Sequence, residues 1–125
     1  MQGKDLIYKD ESFNIIGLCM RVHSELGIGF HEIVYKDALE TELKLHEIPY
    51  KREAPLPIFY KNILLRTFNV DFVVYDKILI EAKATSNFTE DNERQILNYL
   101  KCSRTKLGLL INFGTPSLEF KRFVL

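Results

Sequence analysis

The chain lacks most of the features that assign a function quickly. Its 125 residues hold only two cysteines, Cys19 and Cys102. They have no zinc-ligand spacing, and Cys19 sits in an apolar helical run, so buried free thiols in a reducing cytoplasm are expected rather than a disulfide. No apolar run approaches the ~20 residues that span a bilayer. Met1-Gln2-Gly3-Lys4-Asp5 has no signal-peptide core, which fits a cytoplasmic protein without a membrane partner. There is no excess of charge: 17 basic residues balance 17 acidic ones. Indiscriminate binding to nucleic acid through bulk charge is therefore not expected, although a local basic patch is compatible with this balance. His23, His31 and His46 have no ligand spacing to one another. Gly27-Ile28-Gly29 is too short for a phosphate loop and follows a helix rather than a strand. Ser or Cys nucleophile motifs, repeats and low-complexity segments are absent.

What is present is an ordinary globular composition, 46% hydrophobic and 27% charged, enough for one domain over residues 1–125 with a single core. After a loose polar arm over 4–10, a helix capped by Ser12 or Asp10 is predicted to run to about Leu26, with Phe13, Ile16, Met20 and Leu26 near one face. Glycine at 27 and 29 stops it. A second helix is predicted from about His31 to Leu45, with Val34, Ala38, Leu39, Leu43 and Leu45 as its apolar side. Pro55 and Pro57 make residues 50–60 an edge strand or irregular extended segment. Lys61-Asn62 reads as a turn and 63–74 as a long extended run. Thr89 caps a helix to about Cys102, with Ile96, Leu97 and Leu100 inward. The continuous apolar run Leu107–Asn112 predicts a buried strand in parallel pairing, and 118–125 a last strand. This order is α+β, a mixed sheet flanked by helices.

The centre of the chain is the stretch from Asn69 to Lys83, two apolar strands around a polar turn, the second ending in Glu81-Ala82-Lys83. Strand side chains alternate, so Glu81 and Lys83 share a face. Pairing residue 71 with 81 leaves Tyr75-Asp76-Lys77 as a three-residue loop and brings Asp71 onto that face; a two-residue loop would turn it away unless a bulge restored it. Two carboxylates on adjacent strands suit one hard divalent cation, and a neighbouring lysine suits a water or a developing negative charge. A plain surface hairpin would also carry a Glu and a Lys on its wet face, so spacing alone does not decide. Glu32 and Tyr35 share a helix face, as do Gln95 and Tyr99 on the helix after Lys83. Each pair also suits a first-turn acid or an amphipathic flank.

These residues give the chain a family likeness. It resembles the family named GxxExxY, whose motif stands here as Gly29-Phe30-His31-Glu32-Ile33-Val34-Tyr35. The resemblance continues through 38–43, Phe72-Val73-Val74, Ile80-Glu81-Ala82-Lys83, 95–100 and 107–114. That family looks like a branch of the PD-(D/E)XK nucleases. The resemblance implies a restriction-endonuclease-like core and a metal-dependent phosphodiesterase site. Asp71, Glu81 and Lys83 match its acid and acid-x-lysine, Glu32 its first-helix acid, and Gln95 and Tyr99 the Gln and Tyr that some branches carry. Asn69-Val70 precedes Asp71 without the proline for which the motif is named.

The resemblance implies a Mg²⁺-dependent nuclease, with Mn²⁺ as a substitute ion. Asp71, Glu81, the carbonyl of Ala82 and Glu32 would form the metal shell. Lys83 would position the attacking water, Gln95 would orient Lys83 or a phosphate, and Tyr99 would support it. DNA is the first expected substrate and RNA the alternative. Lys51, Arg52, Arg66, Arg94, Lys101 and Arg104 are candidates for phosphate contacts. A homodimer would help so small a nuclease grip a duplex, though no residue demands it. The rival readings are a non-catalytic nucleic-acid-binding or assembly module on the same fold, and a plain interaction domain in which Asp71 and Glu81 lie on opposite faces.

Overall fold

A computed structural model describes residues 7–125; residues 4–6 of the expected arm lie outside the described residues. Helix α1 spans Lys9–Leu26 and α2 Glu32–Leu45. Strands β1 (Tyr50–Tyr60), β2 (Ile63–Val74) and β3 (Ile78–Lys83) follow, then α3 (Glu90–Ser103), β4 (Leu107–Asn112) and β5 (Glu119–Val124). The strands form one five-stranded sheet in the order β1-β2-β3-β4-β5. All neighbours are antiparallel except β3 and β4, which run parallel around the α3 crossover. This is the expected α+β mixed sheet flanked by helices, a restriction-endonuclease-like core. Among the described residues no helix is long and apolar enough to cross a membrane.

Local sequence explains most boundaries. The β1–β2 turn holds Lys61 and Asn62 at φ 50° and 65°, the left-handed pair that matches strand twist in a two-residue hairpin. Thr89 caps α3 by accepting the Asn92 amide, while the Asn92 side chain accepts the Thr89 amide. Gly27, at φ 68°, closes α1 by donating its N–H to the His23 carbonyl. The proline-bearing β1 is an edge strand, where a missing N–H costs nothing in the ladder. β4 is buried at every position, as its covered place in the sheet requires.

Helix α1 departs from expectation. It begins earlier than either Asp10 or Ser12 would allow as a cap, after Tyr8 in the left-handed region. Ser12 is instead buried inside the helix: its hydroxyl donates to the Lys9 carbonyl and accepts from Arg122, which also bonds the Ile7 carbonyl. The buried face carries Ile15, Ile16, Leu18, Cys19 and Val22, whereas Phe13 and Met20 are 77% and 49% exposed. Leu45 in α2 and Leu97 in α3 are likewise exposed, and Tyr99 takes the inward place beside Ile96 and Leu100. Both cysteines are free; burial of Cys19 pushes its thiol pKa far up.

Two cores sandwich the sheet. α1 and α2 pack with Tyr35, Phe72, Val74, Ile80, Leu109 and Phe113 on one side. α3 covers Ala54, Leu56, Val70 and Leu79 on the other. The distal β1–β2 ribbon runs beyond this body, leaving Phe59, Tyr60, Ile63, Leu64 and Leu65 exposed at its tip.

A clasp closes the end of the sheet where β3 and β4 finish. Asn112 is fully buried; its Oδ1 accepts the Thr85 and Gly114 amides and its Nδ2 donates to the Thr85 carbonyl. The Phe113 amide donates to the Lys83 carbonyl at 2.8 Å. The chain leaving Lys83 is thereby fixed to the end of β4. A Cβ on Gly114 would collide with the backbone N and O of Thr85 and lie 2.6 Å from the carbonyl carbon of Ala84. Gly114→Ala is therefore expected to cost about 1–3 kcal/mol through overpacking against immovable backbone, read as a lower urea midpoint at unchanged m-value.

Candidate active site

The site exists because the β2–β3 ladder stops early. The pairs Val74↔Ile78, Val73↔Leu79 and Phe72↔Ile80 follow the expected register around the Tyr75-Asp76-Lys77 loop. The next step would pair Asp71 with Glu81, and there side chains replace the backbone ladder. The Asp71 amide donates to Glu81 Oε1 at 2.8 Å, and the Ala82 amide donates to Asp71 Oδ2 at 2.8 Å. Each carboxylate spends one oxygen on holding the frame. Both residues are buried, so the bonds also meet the requirement that buried polar groups be paired.

The neighbouring strand is distorted at the same level. Glu53 of β1 is bracketed by Arg52↔Phe72 and Ala54↔Val70, which places it beside Asp71, and it has φ 50°. A non-glycine residue in that region stores strain. The alternation of β2 breaks here too. Val73 and Val70, three apart, both face the α3 core, whereas strict alternation would separate them.

From α2 comes a residue that the sequence analysis missed. Lys36 of α2 puts its Nζ 3.0 Å from Asp71 Oδ1, 3.4 Å from Glu32 Oε2 and 3.6 Å from Glu53 Oε1. Its position four residues after Glu32 was legible as a helix-face pair; its reach to the strands was not. Lys83 lies on the other side of the pair, its Nζ 3.9 Å from Glu81 Oε2. Asp71, Glu81, Lys83 and Glu32 are thus gathered, with Lys36 and Glu53 added. The Ala82 amide belongs to Asp71, and Ala82 pairs with Ile111 of β4.

The remaining predicted residues are placed differently. Tyr99 is buried beneath Phe68, ring centroids 5.6 Å apart. Burial, then the charges of Glu81 and Asp71, raise its phenol pKa. Gln95 is exposed beside Phe68, Arg94 and Asn98, and among the described residues neither Gln95 nor Tyr99 is hydrogen-bonded to Lys83. Tyr35 faces away from the carboxylates. Its hydroxyl donates to the Gly27 carbonyl at 2.6 Å and accepts the Phe30 amide, and its ring stacks on Phe113 at 5.0 Å. It anchors the start of α2 and so sets the position of Glu32. Among the phosphate-contact candidates, Arg52 is committed to Asp37 and Glu40 at 2.7 and 2.8 Å. Arg94 pairs with Asp91 and Glu90 on the surface. Arg104 lies beside Lys77 and Lys106, at the strand ends opposite the carboxylates. Lys51, Arg66 and Lys101 are exposed.

The electrostatics follow from burial. Desolvation, then the Asp71 charge, raises the Glu81 pKa to about 7, against the lowering effects of the Asp71 amide, Lys83 and Lys36. Burial of Lys36 would lower its pKa, but the bond to Asp71 and the charges of Asp71, Glu32 and Glu53 outweigh it and raise it. Among the described residues no three His, Cys, Asp or Glu side chains stand close enough to hold a metal ion by themselves. The donor set still fits Mg²⁺, which binds through one or two carboxylates and keeps several waters. Beyond the oxygens used on backbone, Glu81 offers Oε2 and Asp71 offers Oδ1, the latter shared with the Lys36 ammonium.

A pH dependence follows. The folded-state pKa of Glu81, about 7, lies above its ordinary 4.5, so the native state binds the proton more tightly and stability falls as pH rises through that window. Relative to Glu81→Gln, which has no such proton, the metal-free wild type should lose up to ~3 kcal/mol between pH 4.5 and 7.5. Thermal unfolding of both proteins across that range checks this; parallel curves would contradict the raised pKa.

Comparison with known proteins agrees with this geometry. A family profile described as the PD-(D/E)XK nuclease superfamily matches residues 9–123. Among solved structures, one titled "Crystal structure of SSO0001" is similar with a TM-score of 0.58 at 18% identity, over 73% of this chain and 48% of that one. This chain therefore spans about half the length of that protein, and the likeness is one of fold. No curated protein matches. With the profile covering nearly every described residue and the acid and acid-x-lysine side by side on β2 and β3, the chain belongs to the PD-(D/E)XK nuclease superfamily.

Proposed function

We propose that the chain is a Mg²⁺-dependent nuclease that hydrolyses DNA, of the GxxExxY branch that Gly29, Glu32 and Tyr35 suggest. The observation that carries this reading is the pairing of Asp71 with Glu81 at the β2–β3 opening, with Lys83 beside them. Asp71 and Glu81 would hold the ion, with Glu32 joining through water and the Ala82 carbonyl as a further ligand. Bound there, Mg²⁺ supplies Lewis-acid stabilisation of the charge on a scissile phosphate. Lys83 orients the attacking water and donates hydrogen bonds to developing negative charge. Tyr99 fixes the floor beneath the strands, and Gln95, on the open side, meets a phosphate rather than Lys83. Exposed Lys51, Arg66 and Lys101 are the free cations nearest to the role of backbone contacts.

One observation favours a second reading. The Lys36 ammonium neutralises the remaining oxygen of Asp71, as would suit a module that binds nucleic acid without cutting it. Cleavage of single- and double-stranded DNA and of RNA, in Mg²⁺ or Mn²⁺, separates the two. The nuclease reading expects metal-dependent cleavage of DNA that falls ~10²–10³-fold or more in Asp71→Asn and in Lys83→Ala, with circular dichroism unchanged. Cleavage at undiminished rate in both variants would sink the assignment. DNA binding by wild type and Asp71→Asn alike, with no cleavage by either, would establish the module.

A further inference from the structure

Lys36 is more than one half of an ion pair. Three carboxylates from three elements converge on its ammonium, Asp71 of β2 at 3.0 Å, Glu32 of α2 at 3.4 Å and Glu53 of β1 at 3.6 Å. Asp71 accepts a hydrogen bond from it, and Glu32 and Glu53 pair with it as ions at longer range. Lys36 is buried, whereas Glu32 and Glu53 keep 39% and 55% of their side-chain surface exposed. The cation thus sits inside, with acids arranged around it. Asp71 is the only member shared with the Glu81 side: Oδ2 is fixed by the Ala82 amide and Oδ1 faces Lys36. Two-metal sites hold their cations about 4 Å apart. Here the position beyond Asp71, on the side away from Glu81, is filled by a covalently tethered charge.

We propose that the Lys36 ammonium is a resident second cation of this site, held by Asp71, Glu32 and Glu53, so that the chain takes one divalent ion and not two. The inference rests on the metal-dependent reading above, but concerns ion count rather than cleavage. A lysine charge cannot be lost to dilution or chelator, so only the Glu81 side of Asp71 depends on the ion in solution. Lys36 acts through Asp71 and is a positioning residue. A purely structural ion pair would leave the number of bound ions unchanged when removed.

The experiment is calorimetric titration with MnCl2 of wild type and Lys36→Met, with thermal unfolding of each with and without Mn²⁺. Wild type should bind one ion per chain. Lys36→Met should bind one more than wild type, and its Tm should rise with Mn²⁺ by several degrees more, because three acids have lost their cation. Two ions on the wild type, or no gain of ions in the variant, overturns the proposal. A wild type that takes no ion overturns the proposal too, because one divalent ion beside Lys36 is what it requires. One ion on wild type and two on the variant without cleavage of any substrate leaves this inference standing and the nuclease reading fallen. If Lys36→Met does not fold, Lys36→Met/Glu53→Gln, with one fewer unpaired acid, replaces it under the same criteria.

Discussion

Two backbone-to-carboxylate hydrogen bonds, from the Asp71 amide to Glu81 and from the Ala82 amide to Asp71, are the interaction on which the rest of the site depends. A ladder that continued past Phe72↔Ile80 would satisfy the same amides with carbonyls. It would leave two carboxylates opposite each other on a closed sheet, an arrangement disfavoured by like-charge repulsion and burial together. By accepting the Asp71 and Ala82 amides, the carboxylates keep the backbone paired while the strands part. Lys36 reaches Asp71 from α2, beside Glu53 of β1. The same rung carries the left-handed Glu53 and the break in β2 alternation. Strain, charge and strand separation therefore meet at one level of the sheet.

A second set of contacts fixes what lies around that level. Phe113 touches two of its parts at once: its ring stacks on Tyr35, which holds the start of α2 and hence Glu32, and its amide holds the Lys83 carbonyl. Asn112 and Gly114 then tie down the chain that follows Lys83. Neither Tyr35 nor Asn112 reaches the carboxylates. Their place is to keep an acid on a helix and a lysine on a strand in register, and positioning to within a fraction of an ångström is what such a site requires. Tyr35 of the sequence motif is in this sense a structural residue that travels with a chemical one.

The hairpin register was legible because period-two alternation and loop length leave few alternatives, and the parallel β4 because its apolar run admits no wet face. The α1 face was not legible. Phe13 and Met20 are apolar by type yet exposed, and the helix instead turns Ile15, Leu18 and Cys19 to the sheet; periodicity allows either stripe, and only packing chooses. Ser12 carries a capping residue's chemistry but spends it on Arg122 from the other end of the chain. Lys36 and Glu53 were invisible for a related reason. Ion pairs between elements distant in sequence depend on strand register and helix placement together, and a charged residue on an amphipathic helix reads as solvent-facing until the partner acid is found. Arg52, a candidate for phosphate contact, likewise has partners that only the fold reveals, Asp37 and Glu40 of α2.

The charge of the site can be weighed against that of the chain. Glu32, Glu53, Asp71 and Glu81 converge with only Lys36 and Lys83 to balance them, while the whole chain is neutral. A site two charges short of balance, in a chain with no surplus of positive charge, repels a polyanion unless something corrects it. Protonating Glu81 corrects half of the deficit, and the raised pKa of that group has this origin in part. A single divalent cation corrects all of it and adds the local positive charge that a phosphate would meet. Two divalent cations beside Lys36 would overshoot. The charge balance of the four acids and two lysines is thus a second argument for the proposed count of one ion: it counts charge where the ion pairs of Lys36 count contacts.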